Sequence, residues 1–255
     1  MIIGCCGGIE ERDMLRETGY DFIECPIGIV EPGKGEEEFE AIKNQLKDTS
    51  LPFYAFNIFI PSNLKITGPE VDFLALEEYV EIVLNRVQSL GGKVIVFGSG
   101  GARRVPENFS REDAWMQIKR FLEMVADKAG QYNITIAIEP LRSEETNIIN
   151  TLEEGLKMVS EVNRAEIRVL VDLYHMVQEN EPFEHIKDAG ELLVHVHVAD
   201  TGRLYPGSGD YDYDTFLAML NDINYDGGIS IECNWDNKED EVKKASSFLK
   251  NKVNS

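Results

Sequence analysis

The chain lacks any run of about 20 consecutive apolar residues, which argues against a membrane-spanning helix. Its start, MIIGCCGG, has no basic segment followed by a long apolar one, so no secretory signal is expected and a cytoplasmic location is. Positive charge is scarce: 25 Lys and Arg stand against 46 Asp and Glu, for a net charge of −21. Such a surface repels phosphate backbones and gives no pull toward anionic membranes, so neither nucleic acid nor membrane is an expected partner. Cysteine is sparse too. Cys5, Cys6, Cys25 and Cys233 form no CxxC pair, and adjacent Cys5 and Cys6 would face opposite sides of a strand. All four read as reduced thiols. No GxGxxG follows the first apolar run, which weakens a dinucleotide-binding sheet. No linker, low-complexity segment or internal repeat interrupts the chain, so residues 1–255 are expected to form one domain.

Eight short runs rich in Ile and Val are present, at 2–6, 21–27, 53–59, 93–98, 134–140, 167–173, 192–198 and 228–233, bounded by Gly, Pro, Asn or Asp. Between most of them the apolar spacing is three and four, the helical period. The clearest such stretch is Val71–Leu90, with Leu74, Val80, Val83, Val87 and Leu90 as its stripe. Thr151 with Glu154, and the SRED at 110–113, have the form of capping boxes. A further helix is expected at Tyr213–Leu220. Strand–helix alternation repeated eight times in 255 residues predicts an α/β fold, a (β/α)8 TIM barrel. An open doubly wound sheet is the alternative.

Successive strand residues face opposite sides. In ITIAIEP, Ile134, Ile136 and Ile138 oppose Thr135, Ala137 and Glu139. In IRVLVDL, Val169 and Val171 oppose Leu170 and Asp172; in LLVHVHV, Val196 and Val198 oppose His195 and His197; in GISIEC, Ile229 and Ile231 oppose Ser230 and Glu232. The β-branched faces suit the outer helices, so the other faces point into the barrel. Four consecutive inward faces then end in Glu139, Asp172, His197 and Glu232, at the C-terminal mouth where barrel active sites lie. Three carboxylates converging there would raise one another's pKa unless a cation sat among them. Oxygen donors with one imidazole suit a divalent metal ion such as Mn2+, Co2+, Mg2+ or Zn2+. His195, some 6–7 Å deeper at ~3.3 Å per residue, reads as a core histidine bonding Thr135 or Ser230. Glu24 ends the second strand with the same parity. It reads as structural, a partner for an inward Arg or Lys, or else as a fifth acidic group.

The motifs IAIEPLRSEETNIINT, VLVDLYHM, HVHVADTGRLYPGSG and ISIECNW resemble the xylose-isomerase-like TIM barrels of the sugar-phosphate isomerase/epimerase superfamily, nearest to the ketose 3-epimerases of the D-tagatose/D-psicose type. The likeness is carried by residues 134–235; the first half shares only the strand–helix rhythm. It implies one divalent metal, Mn2+ first, held by Glu139, Asp172, His197 and Glu232. It implies that Glu139 and Glu232 are the acid/base pair. It also implies substrate binding by Glu145, six residues after the first ligand, by His175, three after the Asp, and by Arg203, six after the ligand His. The implied activity is proton transfer next to a ketose carbonyl through an enediolate, with a small sugar, or sugar phosphate, as partner. A homo-oligomer is compatible with this reading.

The strand-four loop VFGSGGARRVPENF departs from that pattern. Its three glycines, serine and Arg103–Arg104 are expected either to cradle a phosphate or carboxylate through backbone N–H groups or to form a flexible loop whose arginines pair with acids. Transfer between C1 and C2, as in hydroxypyruvate isomerase relatives, or dehydration of the inosose type would use the same carboxylates. A phosphodiesterase of the AP-endonuclease kind needs several more histidines than the four present, of which His185 reads as surface. A non-catalytic barrel leaves the ligand set unexplained.

Overall fold

The computed structural model describes residues 1–46 and 51–254. Eight parallel strands close into a barrel in sequence order: β1 (Ile2–Cys6), β2 (Phe22–Pro26), β3 (Phe53–Asn57), β4 (Val94–Phe97), β5 (Thr135–Ile138), β6 (Ile167–Asp172), β7 (Leu193–Val198) and β8 (Gly228–Ile231). Each falls inside the run expected for it, and β1 pairs with β8 to complete the ring, so the open sheet is excluded. The helices are α1 (Arg12–Glu17), α2 (Glu36–Gln45), α3 (Phe73–Ser89), α4 (Gly100–Arg103), α5 (Arg111–Tyr132), α6 (Leu152–Val162), α7 (Leu173–Gln178), α8 (Ile186–Ala189), α9 (Tyr213–Asp222) and α10 (Lys238–Val253). No helix among the described residues is long and apolar enough to cross a membrane.

Helix starts follow their caps. Ser110 accepts from the N–H of Asp113 at the head of α5, and Thr151 accepts from that of Glu154 at the head of α6. The return arm of the second box differs from the usual pattern: Glu154 accepts from the N–H of Asn150, one residue before the cap. In α3 the buried stripe runs through Leu76, Val80, Val83, Leu84 and Val87, whereas Leu74 is 67% exposed. Leu74 lies in the first turn beside its cap Asp72, off the face that Leu76 continues.

The alternation sorts residues into two cores, as parity predicts. Ile136, Ile138, Val169, Val171, Val196, Val198, Ile229 and Ile231 pack outward under the helices, while Ala55, Val94, Val96, Ala137 and Leu170 fill the barrel interior. The interior is closed below by aromatic rings. Phe22 packs 4.9 Å from Tyr54 and 6.1 Å from His195, centroid to centroid. Glycine at position 4 is required there, because a Cβ would stand 2.1 Å from the Phe22 ring. Above this plug the inward side chains turn polar.

Candidate active site

The four strand-end residues converge. One donor atom from each of Glu139, Asp172, His197 and Glu232 lies within 4.8 Å of all the others. His197 Nδ1 stands 3.1 Å from Glu139 Oε1 and 3.8 Å from Glu232 Oε2. Asp172 divides its oxygens: Oδ1 caps α7 by accepting from the N–H of Tyr174 at 2.7 Å, and Oδ2 faces His175 Nε2 at 3.5 Å. His175 is buried in the first turn of α7. Its Nδ1 accepts from the N–H of Arg142, which leaves Nε2 without a close hydrogen-bond partner among the described residues.

Arg203 ties the rim together. One N–H donates to Glu232 Oε2 at 2.6 Å and another to Glu145 Oε1 at 3.1 Å. Its backbone is left-handed, with φ +60°, following Gly202 at φ +71°; a non-glycine residue in that region is held there by its surroundings. Here the holding group is Asp200. Buried, it accepts from the N–H groups of Thr201, Gly207 and Tyr211 and so organises the loop that carries Arg203. Arg142 also grips Glu145, through Nε at 2.8 Å, and donates to the hydroxyl of Tyr174. Burial would lower the Arg203 pKa, but the charges of Glu232 and Asp172 outweigh it, so the guanidinium stays charged.

Beneath the cluster lies a network that the sequence did not reveal. Glu24 is fully buried, and its partners are histidines rather than the expected Arg or Lys. His197 Nε2 is 2.9 Å from Oε1, His195 Nε2 is 2.7 Å from Oε2, and Ser230 Oγ donates to Oε2 at 2.6 Å. His195 thus meets Ser230, one of its two expected partners, at 3.2 Å. Thr135 instead lines a cavity at the opposite, N-terminal end of the barrel. Burial alone would lower the His197 pKa, but the Glu24 charge and hydrogen bonds donated to Glu139 and Glu24 raise it well above the usual value. Burial would raise Glu24, yet the two histidines hold it well below the ordinary carboxylate range. His195 is lowered by burial and is neutral. Cys6, Glu24 and His197 form a second group close enough to share an ion, but burial and the acids around it push the Cys6 thiol well above its normal value. A neutral thiol is a poor ligand.

The strand-four loop is a helical turn whose arginines bond backbone carbonyls. It folds into the short α4, and Arg103 turns inward, fully buried. Its guanidinium donates to three carbonyls, those of Phe97, Glu139 and Ile149. Arg104 donates to the carbonyl of Glu144. Gly98 serves by its smallness: a Cβ there would stand 2.2 Å from Glu139 Oε2. His185, half-exposed and bonded to Glu181, lies outside the cluster, as expected.

A cleft of about 260 Å3 opens over these residues, bordered by Asn57, Ser99, Glu139, Glu145, Arg203 and Glu232. The N-terminal cavity is larger, about 510 Å3, but none of the converging carboxylates borders it. In a closed α/β barrel, chemistry belongs to the C-terminal mouth.

The family model for xylose isomerase-like TIM barrels matches residues 13–252. An L-ribulose 3-epimerase of Methylomonas sp. is 30% identical over 220 residues, 84% of this chain and 74% of that protein. The 3-dehydro-D-guloside 4-epimerase of Escherichia coli is 30% identical over 238 residues, 88% of this chain and 86% of that one. A ketose 3-epimerase of Arthrobacter globiformis reaches 38% identity, but over 109 residues, 42% of this chain and 38% of that protein. A crystal structure of D-psicose 3-epimerase in the presence of D-fructose superposes with a TM-score of 0.88 at 20% identity, covering all of both chains. The chain belongs to the xylose isomerase-like TIM barrel family.

Proposed function

We propose that this protein is a divalent-metal-dependent sugar epimerase that inverts C3 of an unphosphorylated ketose. The observation that carries this reading is the convergence of Glu139, Asp172, His197 and Glu232 under an open cleft. The relatives named above are 3- and 4-epimerases of sugars. Three carboxylates and an imidazole whose donor atoms lie within 4.8 Å of one another call for a cation, and this donor set fits Mn2+, with Co2+, Mg2+ and Zn2+ as close competitors. When bound, such an ion polarises a ketose carbonyl and stabilises the enediolate formed next to it.

The chain's own residues move the proton. Glu139 follows β5 and Glu232 follows β8, three strands apart around the ring, so their carboxylates approach a sugar in the cleft from different sides. One removes the C3 proton and the other returns one to the opposite face. Arg203 orients Glu232, and with His175 it supplies N–H donors toward oxygen that gains charge. Glu145, fixed by Arg142 and Arg203, accepts from sugar hydroxyls. Arg203 is the only cation bordering the cleft among the described residues, and two carboxylates already engage it. That favours an unphosphorylated sugar. The four free cysteines suit the cytoplasmic location that this reading includes.

One observation favours a second reading. The match to the 3-dehydro-D-guloside 4-epimerase spans 88% of this chain, and inversion at C4 beside a C3 ketone needs the same acid/base pair. The deciding experiment reconstitutes metal-depleted protein with Mn2+ or Co2+ and offers ketoses, ketose phosphates and a 3-keto-glycoside in D2O. Deuterium at C3 of a free ketose supports the first reading. Label at C4 of the keto-glycoside supports the second, and label at C1 or C2 overturns both.

Two further outcomes follow from the geometry. Gly98→Ala pushes a methyl group into Glu139 Oε2 and is expected to lower turnover by about 10²-fold, since displacing a catalytic group by an ångström has that effect. Unchanged turnover with normal metal content would contradict the placement of Glu139. In the metal-free protein Glu24 and Glu139 favour the protonated form of His197, so an ion at Nδ1 competes with a proton. Calorimetry in buffers of different ionisation enthalpy should therefore show about one proton released per ion near neutral pH, with affinity rising as pH rises.

A further inference from the structure

The carboxylate of Glu24 lies outside the four proposed ligands, yet it meets one of them on its far side. Its Oε1 accepts from His197 Nε2 at 2.9 Å, while His197 Nδ1 points at Glu139 and Glu232. An imidazole that donates through Nε2 has only Nδ1 left to offer a metal ion. The other oxygen of Glu24 is fixed independently, by Ser230 Oγ at 2.6 Å and His195 Nε2 at 2.7 Å. Among the described residues His195 Nδ1 has no hydrogen-bond partner, so its polar contacts there all run through Nε2, to Glu24 and Ser230. A buried carboxylate wedged among imidazoles is an expensive element for a barrel core, which apolar side chains would fill more stably. Its arrangement makes sense as support for His197.

We infer that Glu24 is the positioning residue of the metal centre. Its carboxylate fixes the Nε2–H tautomer and the ring orientation of His197, so that Nδ1 faces the ion, and strengthens that nitrogen as a donor. Ser230 and His195 lock the carboxylate in turn. Sequence places these groups on β2, β7 and β8, and only closure of the barrel brings them together. The inference rests on the proposed ligand set of Glu139, Asp172, His197 and Glu232.

The test uses two measurements on the whole chain. Multiple-bond 15N–1H spectra of wild-type protein loaded with diamagnetic Zn2+ should show His197 bound through Nδ1 and still protonated at Nε2. Binding through Nε2, as an ion held by Cys6 and Glu24 would require, overturns the inference without any variant having to fold. Calorimetric titration of Glu24→Gln, which keeps shape and loses charge, should then give a Kd for Mn2+ about 10–100-fold weaker than wild type, counted per folded molecule. A merely structural role predicts lower stability with unchanged Kd, and that result overturns the inference. Wild-type protein that binds neither ion would overturn the metal centre itself, and this inference with it, which separates the two failures.

Discussion

Glu232→Gln is expected to lower epimerase turnover by about 10²–10⁴-fold, the usual contribution of a positioned acid or base, while the protein stays folded. Glutamine keeps the size of the side chain and a carbonyl oxygen that still accepts from Arg203, so the 2.6 Å contact at the rim has a replacement. What disappears is the proton acceptor. Burial and the neighbouring Glu139 raise the Glu232 pKa, against the pull of His197 and Arg203. The measurement is steady-state turnover together with Mn2+ content of the same preparation. Low turnover at full metal content assigns Glu232 to proton transfer; full turnover would remove it from the acid/base pair.

Arg103→Ala is expected to be the most destabilising single change outside the apolar core. The side chain is fully buried and joins the end of β4, the residue after β5 and the loop carbonyl of Ile149, itself held at φ +57°. Burial lowers its pKa to about 10, so it remains charged at neutral pH. Removal takes a donor from each of three buried carbonyls, leaves that of Glu139 unpaired while those of Phe97 and Ile149 still accept from the N–H groups of Glu139 and Leu141, and opens a cavity, a loss of about 3–5 kcal/mol. For a chain of this size that lowers Tm by roughly 6–20 °C. Arg103→Lys recovers little, because one ammonium cannot reach three carbonyls set for a planar fork. Urea unfolding of both variants checks this, and a loss under about 1 kcal/mol would mean that water or relaxation satisfies the carbonyls.

These two residues also mark where the sequence is legible and where it is not. Glu232 could be read because it ends an alternating run, and strand parity with barrel geometry sends such residues to the mouth. The same reasoning placed Glu139, Asp172 and His197, whose donors do converge. Arg103 sits in a loop, where no period says which way a side chain points, and two adjacent arginines look alike until one is buried. Glu24 had the right parity, yet its partners are 171 to 206 residues away along the chain, and no local pattern encodes that contact. Asp200 and Arg142 hold the rim through backbone and carboxylate contacts that a sequence displays only as one more acid and one more base. Leu74 failed for a smaller reason: the stripe of α3 begins after its cap, at Leu76.

The central claim is that Glu139 and Glu232 exchange a proton at the carbon beside a ketose carbonyl, with a divalent ion bound. The most direct measurement incubates Mn2+-loaded protein with a free ketose in D2O and follows the sugar by 1H and 13C NMR. The account predicts deuterium at C3 of substrate and epimer alike, lost on chelation and lost in Glu139→Gln and Glu232→Gln. Epimer formation with no solvent label at C3, or label that persists in both variants, would contradict it.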